Sequence, residues 1–245
     1  MASVVFADTR PRIIHVLVAL CDNEFQGIVK VPKTIGNGNS PGSNLYWGCS
    51  GGVKSAFIKS PKWKLLQTIL NPGPSILERV IFQHKSGNFL LVADAYQGRL
   101  INKTLEDFFN ILAGHPIDSE AFVISRRRLY AGSHASLVVY VGHNGLMDIE
   151  FSNLPRVHNS TFKEAIVLCC ASESYFKKIL SDYKVKPILL TTQLMYPGAM
   201  VLESAIEGWI NGEDLKQIRE RAAIAYAKNQ KLTENVARRV FSKLE

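Results

Sequence analysis

Leu137-Val138-Val139-Tyr140-Val141-Gly142-His143-Asn144-Gly145 and Ala165-Ile166-Val167-Leu168-Cys169-Cys170-Ala171-Ser172 are the two stretches on which the fold of this chain turns. Each is a short run of aliphatic residues without polar alternation, and each breaks off onto a residue capable of chemistry. Runs of this kind read as strands buried on both faces, the condition met by a parallel sheet held between layers of helix. Residues just past the carboxyl ends of such strands line the site crevice of open α/β sheets. Two strands of this type would bring His143 and Cys170 to one crevice as a base and a thiol nucleophile.

Outward from these strands the chain alternates between strand and helix patterns. Residues 13–20 form another buried-strand run, followed by a polar, glycine-rich stretch over 21–43 with no helical period. Long ordered loops are uncommon in compact domains and tend to be functional, so residues 35–38 are a candidate site rim. The sequence predicts a helix over 44–60, a strand over 63–70, and a hairpin from 78–84 and 89–94 joined by the Gly/Asn-rich turn 85–88. A helix is expected over 104–112 with Thr104 as N-cap and Gly114 past its end. After the His and Cys strands come a helix from Ser172 to about 180, a last strand over 187–192 and a helix over 199–209. From about 211 the chain reads as a helical C-terminal extension, with apolar residues at helical spacing at Leu215, Ile218, Ala222, Leu232, Val236 and Val240. The expected architecture is a single α/β domain over 1–245, a three-layer α/β/α sandwich with a mostly parallel central sheet.

Composition narrows the function classes. The 245 residues are 47% hydrophobic and 20% charged, enough to bury one substantial core. No run approaches the roughly 18–20 apolar residues that span a bilayer, and the amino terminus lacks a basic start followed by an apolar stretch. No membrane association or targeting segment is expected. The four cysteines are too few for a disulfide scaffold, so reduced thiols in a cytoplasmic setting are the expectation. The six histidines are scattered and no Cys-x-x-Cys or His-x-x-x-His spacing occurs; neither a metal site nor a cofactor is expected. Lys and Arg number 29 against 21 Asp and Glu, a net charge of +8. The charge is spread out apart from Arg126-Arg127-Arg128, which reads as solvated surface, and a nucleic-acid partner is not expected.

A strand ending in His with a nearby Gly, followed by a strand ending in Cys170-Ala171-Ser172, resembles the caspase-fold cysteine peptidases, the clan CD group that includes legumain, gingipain, metacaspase and separase. The strand with Thr191-Thr192 is similar to the one that follows the Cys in legumain-like members, and Thr104 to Leu112 resembles the Thr-led helix before their His strand. The resemblance spans about residues 13–209. It implies a thiol protease with Cys170 as nucleophile, His143 as general base and acid, and Asn23, just beyond the first strand, orienting the His. The backbone amides of Gly145 and Cys170 would be the oxyanion donors, although Asn144 stands between His143 and Gly145 where the family has Gly directly after His. Asp22, Cys169 and Ser172 would then rim the site, and a peptide or protein would be the substrate. A catalytically inactive caspase-like binding or scaffolding module, using the 35–44 loop, is the alternative; the tail over 232–239 superficially resembles a helix-turn-helix and is a weaker third reading.

Overall fold

The computed structural model describes residues 11–151, 154–158 and 162–244. Residues 1–10, part of the stretch read for a targeting signal, lie outside them. Strand β1 (Arg12–Ala19) is buried at every position after Arg12, as its unbroken aliphatic run requires. Helix α1 (Val53–Lys59), strands β2 (Trp63–Gly73), β3 (Ile76–His84) and β4 (Phe89–Tyr96), and helix α2 (Ile101–Leu112) follow. A small hairpin of β5 (Ala121–Ile124) and β6 (Arg127–Tyr130) precedes the two decisive strands, β7 (Leu137–Val141) and β8 (Glu164–Leu168). The chain continues through α3 (Ser172–Asp182), β9 (Lys186–Leu189), α4 (Ala199–Ile210), α5 (Leu215–Gln230) and α6 (Glu234–Arg238).

Seven strands form one mixed sheet in the order β2-β3-β4-β1-β7-β8-β9. From β4 through β9 every neighbouring pair is parallel, while β2, β3 and β4 are joined antiparallel as a meander on one side. Alternate strand residues feed two separate cores. One holds Val16, Val18, Val139, Val141, Ile166 and Leu168 with Phe57 of α1, Leu202 of α4 and Ala223 of α5. The other holds Leu17, Val138, Tyr140, Val167 and Cys169 with Phe108 of α2 and Phe176 of α3. The period-2 alternation of strand side chains is what sorts them.

Several elements depart from expectation. The predicted 44–60 helix is only Val53–Lys59, because Asn44 is spent inside the preceding loop: its buried side chain accepts from the Cys21 and Tyr46 amides and donates to the Cys21 and Asn37 carbonyls. Thr104 is not an N-cap. A 3-10 turn over Gly98–Leu100 runs directly into α2, so the helix begins at Ile101 and the Thr104 hydroxyl donates back to the Leu100 carbonyl. The last strand stops at Leu189, and Thr191 makes an isolated bridge to Phe241. The β5–β6 hairpin was not legible; its turn places Ser125 and Arg126 at φ 49° and 65°, with no Gly to announce it. The carboxyl-terminal helices are no appendage: Ile218, Ala222, Tyr226, Ala237 and Phe241 are buried in the first core.

Candidate active site

The geometry follows from strand register. β7 and β8 are parallel neighbours with Val141 opposite Leu168. His143 and Cys170 are each the second residue beyond that pair, so they leave the sheet side by side, on strands spaced about 4.8 Å apart. Beyond the strand ends, Cys170 lies against Met195 of the first core, and the His143 ring is placed by its contact with Asp148. Asn144, fully buried, ties the two loops together: its Nδ2 donates to the Cys170 carbonyl at 2.7 Å, and its Oδ1 accepts from the Leu146 amide.

His143 is buried to 8% exposure. The Tyr140 hydroxyl donates to its carbonyl at 2.7 Å, and its Nε2 lies 2.6 Å from Oδ2 of Asp148. Cys170 is partly exposed, with its Sγ 3.6 Å from the Met195 carbonyl and 3.5 Å from the Met195 amide. The turn that carries it is fixed by a lock between the end of β8 and the end of β9. Ser172 donates through its hydroxyl to the Val167 carbonyl, and the Thr191 amide donates to that hydroxyl at 2.8 Å. Thr191 in turn donates to the Cys169 carbonyl and accepts from the Ser172 amide. Ala171, at φ 48°, is the left-handed residue that turns the chain into α3, leaving Cys170 just before a helix amino terminus.

The adjacent cysteines differ sharply. Cys169 is fully buried on the opposite face, and burial drives its thiol well above the ordinary value. Cys21, at the end of β1, is buried beside the Tyr46 hydroxyl; burial outweighs that hydrogen bond and pushes its thiol up to about 11.

The remaining sequence-assigned residues lie elsewhere in the chemistry. Asn23 does not orient His143; its amide is consumed by Val31, donating to that carbonyl at 2.8 Å and accepting from that amide at 3.0 Å. The group found on the imidazole is the Asp148 carboxylate, five residues after His143 at the end of a 3-10 turn, a spacing that carries no recognisable signature. Gly145 is not placed as an oxyanion donor, since its amide donates to the His143 carbonyl at 3.1 Å. Its lack of a side chain serves packing: a Cβ there would meet Leu105 of α2 at 2.9 Å. Among the described residues the amides of Asn144 and Cys170 donate to nothing. Asp22, Cys169 and Ser172 are not rim residues. All three are buried; Asp22 accepts from the Glu24 and Phe25 amides, and Ser172 is the fastener described above. The 35–44 loop turns Gly36, Gly38 and Asn44 inward and leaves Asn37, Asn39 and Gly42 exposed.

Among the described residues no three His, Cys, Asp or Glu side chains gather in a way that could hold a metal ion, and no helix is long and apolar enough to cross a membrane. A cavity of about 720 Å³ lies away from His143 and Cys170, between α4 and α5, lined by residues that include Met200, Glu207, Arg221 and Ile224. Compared with protein-family models, curated proteins and solved structures, the chain matches none.

Proposed function

We propose that the chain is a cysteine peptidase of caspase-like, three-layer α/β/α architecture, with His143 and Cys170 as its catalytic dyad. The observation that carries the reading is the register: two adjacent parallel strands end in step, and the second residue past each is a His and a partly exposed Cys. The alternation that turns Cys169 into the opposite core leaves Cys170 as the partly exposed thiol of the pair, on the strand end next to that of His143.

In this reading His143 takes the Cys170 proton, and the amino end of α3 favours the resulting thiolate. The thiolate attacks the carbonyl carbon of a peptide bond, and the Asn144 and Cys170 amides receive the developing oxyanion. His143 then protonates the leaving amine, and water hydrolyses the thioester with His143 acting as base again. The substrate is a peptide or protein, the reaction needs no cofactor, and a reducing, cytoplasmic compartment keeps the thiol free. The ion pairs of the Arg238 guanidinium with Glu220 and Glu234 offset positive charge in the tail, which favours this reading over nucleic-acid binding.

Digestion of a peptide library tests the reading, with Cys170→Ala and His143→Ala as controls. Cleavage products are expected from the wild type and from neither variant. Cleavage that persists in Cys170→Ala would remove the thiol from the mechanism, and an undigested library would favour the non-catalytic module.

A further inference from the structure

We infer that Asp148 is the positioning residue for His143 and that Gly27, in the loop after β1, holds it in place. The inference takes His143 as the base of the proposed site, but its geometry stands apart from what that base acts on. Oδ2 of Asp148 lies 2.6 Å from His143 Nε2 and also accepts from the Gly27 amide at 3.4 Å. A carboxylate at that position accepts from an Nε2–H, which fixes the neutral ring in one tautomer and leaves the lone pair on Nδ1. Nδ1 is then the nitrogen available to exchange a proton with a thiol. The carboxylate also stabilises the imidazolium formed when that proton arrives.

The contact with Gly27 makes the arrangement sensitive to one atom. A Cβ at Gly27 would stand 2.8 Å from Oδ1 and 3.0 Å from Oδ2 of Asp148, closer than non-bonded carbon and oxygen tolerate. The Gly27 backbone is outside the left-handed region, so alanine is strained there only through this contact. The Asp148 side chain is 44% exposed, and it has room to swing outward when pushed. Thus the loop following β1 contributes to the dyad through a backbone amide and a missing side chain, where a side-chain ligand from Asn23 was expected.

The test reads the ring directly. Long-range ¹H–¹⁵N correlation spectra of ¹⁵N-labelled protein, with His143 assigned by its loss in His143→Ala, should show the Nε2–H tautomer in the wild type. Asp148→Asn, whose amide oxygen still accepts, should retain it. Asp148→Ala and Gly27→Ala should both give mixed tautomers, the second with the carboxylate chemically intact. Iodoacetamide labelling of Cys170 should slow roughly tenfold in Asp148→Ala, less than in His143→Ala, because orientation is lost and the proton carrier is kept. An Nδ1–H tautomer in the wild type, or an unaltered His143 signal in Asp148→Ala, would overturn the inference. If Gly27→Ala fails to fold, Asp148→Ala decides the role of Asp148, and Gly27→Ser at lower temperature decides the clamp. Should Asp148→Ala change the tautomer while His143→Ala leaves Cys170 labelling unchanged, the positioning role stands and the peptidase reading falls.

Discussion

Asn23 spends both ends of its amide on the backbone of Val31, which makes it a staple of the loop that follows β1. Replacing it with Ala should cost about 1–3 kcal/mol, because the Val31 amide and carbonyl lose their partner, and urea denaturation reads that loss as a lower midpoint. His143-dependent labelling of Cys170 should change little in the same variant; a loss comparable to that of His143→Ala would return Asn23 to the site. The tryptophans show how far residue type alone can be trusted. Trp47, Trp63 and Trp209 are each buried with the indole N–H donating to a glutamate, Glu78, Glu207 and Glu164 respectively. An indole needs an apolar bed and one acceptor, and burial follows from that. Which carboxylate serves His143 was illegible because contact between loop residues depends on a turn that no periodicity encodes.

At the scale of elements, α5 and α6 complete a core that would otherwise lie open. Ile218, Ala222 and Tyr226 share it with Trp209 and Leu189, and Phe241 packs edge-on against Tyr226 at 5.8 Å. A chain ending at residue 211 should therefore be insoluble or lack cooperative thermal unfolding, whereas a true extension could be removed with little effect; circular dichroism melts separate the two. The strands were legible from their apolar runs: β1, β7 and β8 depart from the expected bounds by a residue or so at most. Burial on both faces leaves an unmistakable pattern. Helix starts were less so, since α2 is fed by a 3-10 turn and needs no side-chain cap, while α5, with its Asp214–Gln217 capping box, begins close to where its pattern does. The β5–β6 turn escaped because positive φ at Ser125 and Arg126 is imposed by the tertiary setting against residue preference.

Across the whole molecule, a fully buried charged cluster ties three neighbouring strands of the sheet together. Asp94 on β4 receives Nε and Nη2 of Arg79 on β3 at 2.6 and 2.7 Å and lies 2.9 Å from His15 Nε2 on β1. Burial alone would raise this carboxyl, but the Arg79 charge and hydrogen bonds, with the His15 bond, outweigh it and lower it to about 2. A folded value below the unfolded one contributes stability that is present above about pH 4 and is lost as the pH falls toward 2, about 2 kcal/mol in all. Arg79→Met should remove that acid-side dependence and cost roughly 3–5 kcal/mol near neutrality by stranding Asp94, as urea titrations at several pH values would read. The same sheet sets the register that brings the two strand ends together, on which the proposed dyad depends. The most direct measurement is mass-spectrometric ranking of the four cysteines after brief exposure of the folded protein to limiting iodoacetamide at neutral pH, in wild type and His143→Ala. Cys170 should be labelled first, Cys169 and Cys21 scarcely at all, and the Cys170 rate should drop when the imidazole is removed. An unreactive Cys170, or one whose rate ignores His143, would contradict the account.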